Sequence, residues 1–417
     1  MRPLRMRGAP PDLSMLFSAL LTPVGGAMTG LVGSRRCDLS PAVIYHHYRI
    51  PQMKKTAIAL VVCLAACGSA EPPETGVAVL AGTAACDTCA IAIEEVWASG
   101  REDTNVLDSG FILEVDSEIW AMGGNADETI VRFSTGGPPS KAYERRGGGP
   151  GEFTDQIEGA AVDATGDTLV IAEAGRIQYL SRNDLTGIRG FRTSVPVSHG
   201  IAILDDKSIV YANPRALGYA DSAGVLRRYS SDGIELGSAL PDSTIEPDAL
   251  LSVVRGAEYL TVWLVAPADR GFTATQWDME GGRERRRVRF NADWWFTRQQ
   301  SAADVERAGL AGAADPDALR PETMPVAIYD DGRLLWVVVM HADAEFLEAL
   351  QTRPLVDFDY VDSYLLALDR DTGAPLGARG FDEVAWGFTN RGNLILYKLD
   401  DEGFPLVQIK SIRLIRS

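Results

Sequence analysis

What most constrains this chain is a repeat. From about residue 90, period-two apolar stretches recur in sets of four, bounded by turns rich in Asp, Gly and Asn. The clearest set is 157–192. Strands at 157–162, 168–172, 176–180 and 187–192 alternate with turns at Asp163-Ala164-Thr165-Gly166 and Asn183-Asp184. Such a four-stranded meander cannot bury both of its faces alone, so a fixed-order series of them must stack into a closed array. The same grammar gives sets at 110–145, 200–240, 250–290 and 325–380. Their first turns align as Val115-Asp116-Ser117, Asp205-Asp206-Lys207, Arg255-Gly256-Ala257 and Asp330-Asp331-Gly332. A sixth set, 383–388, 393–398 and 405–415, turns at Asn390-Arg391-Gly392 and is one strand short. The unpartnered run Ile91–Trp97 supplies the missing outer strand, which ties the two ends together and leaves no loose seam. The expected fold is all-β: a six-bladed β-propeller over 85–417, its last blade closed by the N-terminal strand, behind a flexible or unstructured leader.

Charge separates that body from what precedes it. Residues 1–66 hold eight of the 40 basic and two of the 57 acidic residues, leaving 32 and 55 over 67–417, a net of −23. So acidic a body repels phosphate backbones, which excludes nucleic acid as a partner. Ahead of it, Met53-Lys54-Lys55 opens a basic segment, an apolar stretch runs from Ala57, and Leu64-Ala65-Ala66-Cys67 closes it. The closing run resembles the lipobox of bacterial lipoproteins. The resemblance implies a signal peptide at 53–66, a lipidated Cys67 as mature N-terminus, and a membrane-anchored place in the cell envelope on the periplasmic or extracellular side. Gly, Ser, Pro and Glu after Cys67 read as a tether over 67–84. Residues 1–52 fit no such scheme and are expected to be a mis-assigned upstream start, with translation from Met53, or a disordered leader.

Arg146-Gly147-Gly148-Gly149-Pro150-Gly151-Glu152-Phe153 resembles the Gly-Pro-Gly-Glu-Phe signature of bacterial six-bladed propeller lipoproteins related to NHL repeats. The set that follows, with Leu169–Ala172 and Arg176–Tyr179, is similar to one such repeat. It departs where Glu173 replaces the usual aspartate and where the asparagine before Arg176 is missing. The glycines read as a tight inter-blade turn with Phe153 plugged between two blades. No Lys-Ser or Lys-Thr pair follows to make a phosphate cradle. Cys86 and Cys89, also similar to this family, read as a local disulfide in an oxidising compartment.

Candidate functional residues fall in one class of loop. In a propeller the inter-blade connections and the loops between second and third strands share a face. That face collects the insertions 212–224, 291–324 and 340–360, the last two with helical patches at 303–307 and 344–350. Its candidate binding residues are His199, Arg215, Tyr219, Trp294, Trp295 and His341. The two tryptophans could wall a ligand or clamp their insertion onto the ring. His199 and His341, the only histidines after residue 67, are the candidates for a divalent metal or an acid–base pair. No cofactor is expected otherwise. The basic run Arg283–Arg289 reads as a charged outer strand neutralised by nearby acids. With no recognisable catalytic set, the sequence points to a monomeric binding or scaffolding module for an envelope protein or small ligand. The other reading is a metal-dependent hydrolase or lyase of the gluconolactonase-like propeller type with its site at the channel mouth, which rests on fold analogy.

Overall fold

The computed structural model describes residues 77–80, 86, 88–100, 110–122, 129–134, 139–145, 147–153, 157–163, 165–173, 175–193, 197–212, 225–239, 252–268, 270–297, 322–342, 361–381, 383–400, 402 and 405–416. Every regular element among them is a strand. Chain order begins with β1 (Val77–Leu80) and β2 (Cys89–Ala98). Blade 1 is β3 (Phe111–Val115), β4 (Glu118–Met122), β5 (Thr129–Ser134) and β6 (Pro139–Glu144). Blade 2 is β7 (Ile157–Val162), β8 (Thr168–Glu173), β9 (Arg176–Ser181) and β10 (Gly187–Arg192). Blade 3 is β11 (Ser198–Ile203), β12 (Ile209–Ala212), β13 (Leu226–Tyr229) and β14 (Glu235–Ala239). Blade 4 is β15 (Ser252–Arg255), β16 (Thr261–Ala268), β17 (Gly271–Asp278) and β18 (Arg283–Ala292). Blade 5 is β19 (Met324–Asp330), β20 (Leu334–Ala342), β21 (Val361–Asp369) and β22 (Pro375–Phe381). Blade 6 is β23 (Val384–Phe388), β24 (Leu394–Leu399) and β25 (Pro405–Arg416), completed by β2.

The ring is a six-bladed β-propeller, and its closure is the one expected. β2 lies outermost in blade 6, antiparallel to β25, with Ile91 opposite Leu414 and Glu94 opposite Ser411. The first strands touch in order from β3 through β7, β11, β15 and β19 to β23, and all six line one central cavity, so they surround the axis. Buried apolar residues gather in six clusters, one per interface between neighbouring blades. The sixth, between blades 6 and 1, is built like the others: Trp97, Val407 and Ile409 meet Ile112, Val131 and Phe133. β2 thus contributes to the core as well as capping an edge.

β1 was not foreseen. It lies within the stretch assigned to the tether and runs parallel to β18, making a fifth strand outside blade 4 with Val77 opposite Arg289. The basic run forms most of β18 and is neutralised by acids, as expected. Arg285 and Arg286 pair with Glu258 at 2.6 and 3.1 Å, and Arg287 pairs with Glu284 at 2.7 Å.

Polar locks cross the seams on the face of the first turns. Arg182 meets Asp116 at 2.5 Å between blades 2 and 1, and Arg255 pairs with Asp205 between blades 4 and 3. Asp330 of blade 5, with its side chain fully buried, accepts from Trp263 Nε1 at 2.7 Å and from the Ala257 amide at 3.0 Å, both in blade 4. Arg370 binds the same carboxylate at 2.9 Å. At the closing seam, Asn393 and Thr389 donate to the Glu114 carboxylate, while Asn390 bonds the Glu114 amide and carbonyl at 2.7 and 3.0 Å. A turn residue in one blade therefore fixes its neighbour, where desolvation strengthens each bond.

Candidate functional site

The two faces of the ring differ. Turns between first and second strands, such as 204–208 and 389–393, and between third and fourth strands, such as 279–282 and 370–374, are short and cross-linked. The opposite face carries the connections 293–323, 343–360, 213–225 and 240–251. Arg215, Tyr219, both helical patches, the side chain of His199 and everything before Val77, Cys67 included, lie outside the described residues.

Trp294, Trp295 and His341 come together at the blade 4–blade 5 seam on the long-loop face. Trp295 is buried and packs on Phe272 and Phe290 of blade 4, with ring centroids 6.0 and 6.4 Å away. It clamps the start of the connection to the ring. Trp294 is exposed and sits edge-on to the His341 imidazole at 5.6 Å and tilted over Tyr364 at 4.9 Å. His341 Nδ1 shares a hydrogen bond of 2.6 Å with the Thr323 hydroxyl. Its neighbour in β20, Met340, lines the axis, while His341 is packed against these rings instead. The cluster offers a stacking surface of one exposed indole and one phenol. Among the described residues no three His, Cys, Asp or Glu side chains converge as metal ligands.

The glycine-rich segment is a structural plug. Phe153 is buried between blades 1 and 2, among Leu113, Met122, Leu169 and Leu180. Gly149 N donates to the segment's own Glu152 carboxylate at 2.8 Å, and Gly151, at a φ of +76°, donates to Gln178 at 3.0 Å. Gln178 and Arg176 both donate to the Glu152 carbonyl, and both also reach the Glu173 carboxylate, at 3.1 and 2.6 Å. The longer Glu173 therefore stands at the centre of the network that seats this turn. Cys86 and Cys89 are disulfide-bonded, with Cα atoms 5.4 Å apart, at the start of β2.

The enzyme alternative places a site at the mouth of the axial channel, but the sequence gives no residues along the channel and no measure of its width. The channel is a cavity of about 800 Å³ lined by all six first strands. Consecutive, mostly apolar residues of each first strand line it, such as Phe111–Val115 and Pro325–Tyr329, so the strands present their inner edges to the axis while side chains such as Leu113, Ile203 and Ile328 are packed into the seams. Polar groups, among them Asp116, Asp163, Arg255 and Asn390, gather at the short-turn end. The period-two pattern marks these strands as innermost but gives no sign of how wide the axis stands open.

No family model and no curated protein matches the chain. Among solved structures, it is similar in fold to a Bacteroides fragilis protein whose name proposes that it is exported. The TM-score is 0.52 at 11% identity, over 81% of this chain and 99% of that one.

Proposed function

We propose that this protein is an extracytoplasmic propeller, held to a membrane by a lipid on Cys67, that binds an envelope partner on its long-loop face. The observation that carries the reading is the asymmetry of the ring. One face has short turns cross-linked by inter-blade bonds, and the other is where the long connections 293–323 and 343–360 leave and rejoin the blades and where Trp294 is exposed. A rigid ring presenting variable loops on one side is a scaffold for recognition. The Leu-Ala-Ala-Cys run, the oxidised Cys86–Cys89 pair and a structural neighbour proposed to be exported support the location. The kinship with NHL-like propeller lipoproteins rests on the 146–153 signature and the blade that follows it. Nine residues, 68–76, lie between Cys67 and the first residue of β1, Val77, which is ten residue-to-residue steps. Since an extended chain spans at most roughly 3.5 Å per residue, the anchor would hold the outer edge of blade 4 within about 35 Å of the lipid surface.

Two experiments test the two halves. Cys67→Ser should move the protein from the membrane fraction to the soluble fraction of cells, and retention at the membrane would overturn the anchor. Cross-linking in intact cells should give one dominant adduct that Trp294→Ala with Tyr219→Ala abolishes and Tyr259→Ala, on the opposite face, leaves intact. An adduct indifferent to the loop-face variants would overturn the docking side.

A further inference from the structure

We propose that the axial channel binds a small organic cation, an amine with a compact apolar body, whose ammonium sits at Asp163. This site is independent of the lipid anchor and of any partner on the loop face. The volume, about 800 Å³, lies within the range of small-molecule sites. Its apolar walls, with Phe111, Trp386 and Phe388 among the lining, favour a ligand with an apolar body.

Asp163 supplies the charge. Its side chain is only 6% exposed, at the channel end of β7. Oδ1 is saturated by the Thr165 hydroxyl at 2.9 Å and the amides of Asp167 and Thr168 at 3.1 and 3.3 Å. Oδ2 is buried and accepts no hydrogen bond. Lys207 Nζ stands 3.7 Å from it, too far for a hydrogen bond, and its side chain is largely exposed to water. A buried carboxylate oxygen lacking a donor is costly, and an incoming ammonium supplies that donor. Burial pushes the Asp163 carboxyl up, but the bonds from Thr165, Thr168 and Asp167 and the nearby Lys207 outweigh it, so the group is ionised at neutral pH.

The charges of the rest of the lining also favour a cation at this buried oxygen, which accepts no hydrogen bond. Four carboxylates, Glu114, Asp116, Glu158 and Asp163, face two guanidinium groups, Arg255 and Arg391, which favours a cation over an anion. The Glu114 carboxylate is engaged by Asn393 and Thr389, Asp116 by Arg182, and Arg255 by Asp205. Among the described residues no set of three ligands suits a metal ion, so an organic ammonium with one carboxylate partner fits the geometry better.

The test titrates the purified full-length protein by calorimetry with three probes of one shape: 2-phenylethylamine, 2-phenylethanol and 3-phenylpropionate. The amine should bind at least about tenfold more tightly than the alcohol, and the acid should not bind. Asp163→Asn should remove that advantage while leaving the alcohol unchanged. Lys207→Ala, which removes the competing cation, should tighten the amine several-fold. An amine no better than the alcohol, an advantage that survives Asp163→Asn, or no binding of any probe would overturn the proposal. Should Asp163→Asn fail to fold, Lys207→Ala decides: tighter amine binding supports the site, and unchanged binding overturns it.

Discussion

Trp97→Ala asks whether the early strand carries part of the core or only decorates an edge. Trp97 is 6% exposed and packs its ring 5.5 Å from Phe133 of blade 1, within the cluster that joins the last blade to the first. A buried indole withdraws roughly 200 Å² from water, which at ~25 cal/mol per Å² is about 5 kcal/mol as an upper bound. Truncating such a residue in a core costs about 3–5 kcal/mol, the transfer and cavity contributions together. Its neighbour Val96 is 41% exposed on the same strand, so Val96→Ala should cost under about 0.5 kcal/mol. The assay is equilibrium urea denaturation followed by tryptophan fluorescence and, independently, by circular dichroism. If Trp97→Ala shifts the midpoint no more than Val96→Ala does, β2 is not packed across the seam and the closure argument fails.

Three further outcomes follow from the locks and turns. Asp330→Asn, which leaves Arg370 with Glu258 as its remaining carboxylate partner and weakens the bonds to Trp263 and Ala257, should cost about 2 kcal/mol in the same denaturation assay; a loss below about 0.5 kcal/mol would contradict the seam role. Gly392→Ala places a Cβ about 2.0 Å from the Tyr329 ring at a φ of +81°, and should lower stability by about 2 kcal/mol or more, whereas Gly237→Ala, with open space around it, should be nearly neutral. Stability should also fall in acid. In Asp163, Asp206, Asp278 and Asp369 partial burial pushes the carboxyl up, but hydrogen bonds from nearby hydroxyls, backbone amides and arginine hold it below the usual range. Their contribution is complete above the unfolded carboxylate pKa of about 3.9 and is lost as pH falls through the lower folded values, so urea midpoints should be level from neutrality to about pH 5 and decline below pH 4. A midpoint that rises on acidification would refute the sign.

The blades were legible because a strand with two dry faces advertises itself. Leu169–Ala172, Val210–Ala212 and Leu335–Val339 are apolar runs bounded by Asp and Gly turns, and the structure buries them. Ile91–Trp97 was legible by elimination, since the sixth set lacked a strand and this run lacked a partner. The inter-blade locks were not. Asp116, Asp205 and Asp330 read as turn formers, and nothing local shows that their partners Arg182, Arg255 and Trp263 stand in a neighbouring blade, some 50 to 67 residues away for these pairs. The pairing of β1 with β18 escaped for a similar reason, because Val77–Leu80 carries no period and its partner is more than two hundred positions on. At the site, Trp294 and Trp295 were flagged together, yet only packing against Phe272 and Phe290 separates the buried clamp from the exposed ring. Asp163 reads as part of a turn, and its buried oxygen, which accepts no hydrogen bond, gains meaning only beside a channel of known volume.

Cysteines at Glu94 and Ser411, directly opposite each other across β2 and β25, give the ring's closure its most direct test. The double variant, folded and then oxidised, should yield a single covalent link between peptides containing 94 and 411, formed in nearly all molecules and absent when oxidised in denaturant. Thiols that stay free under native conditions, or that link only between molecules, would mean that the early strand does not close the ring.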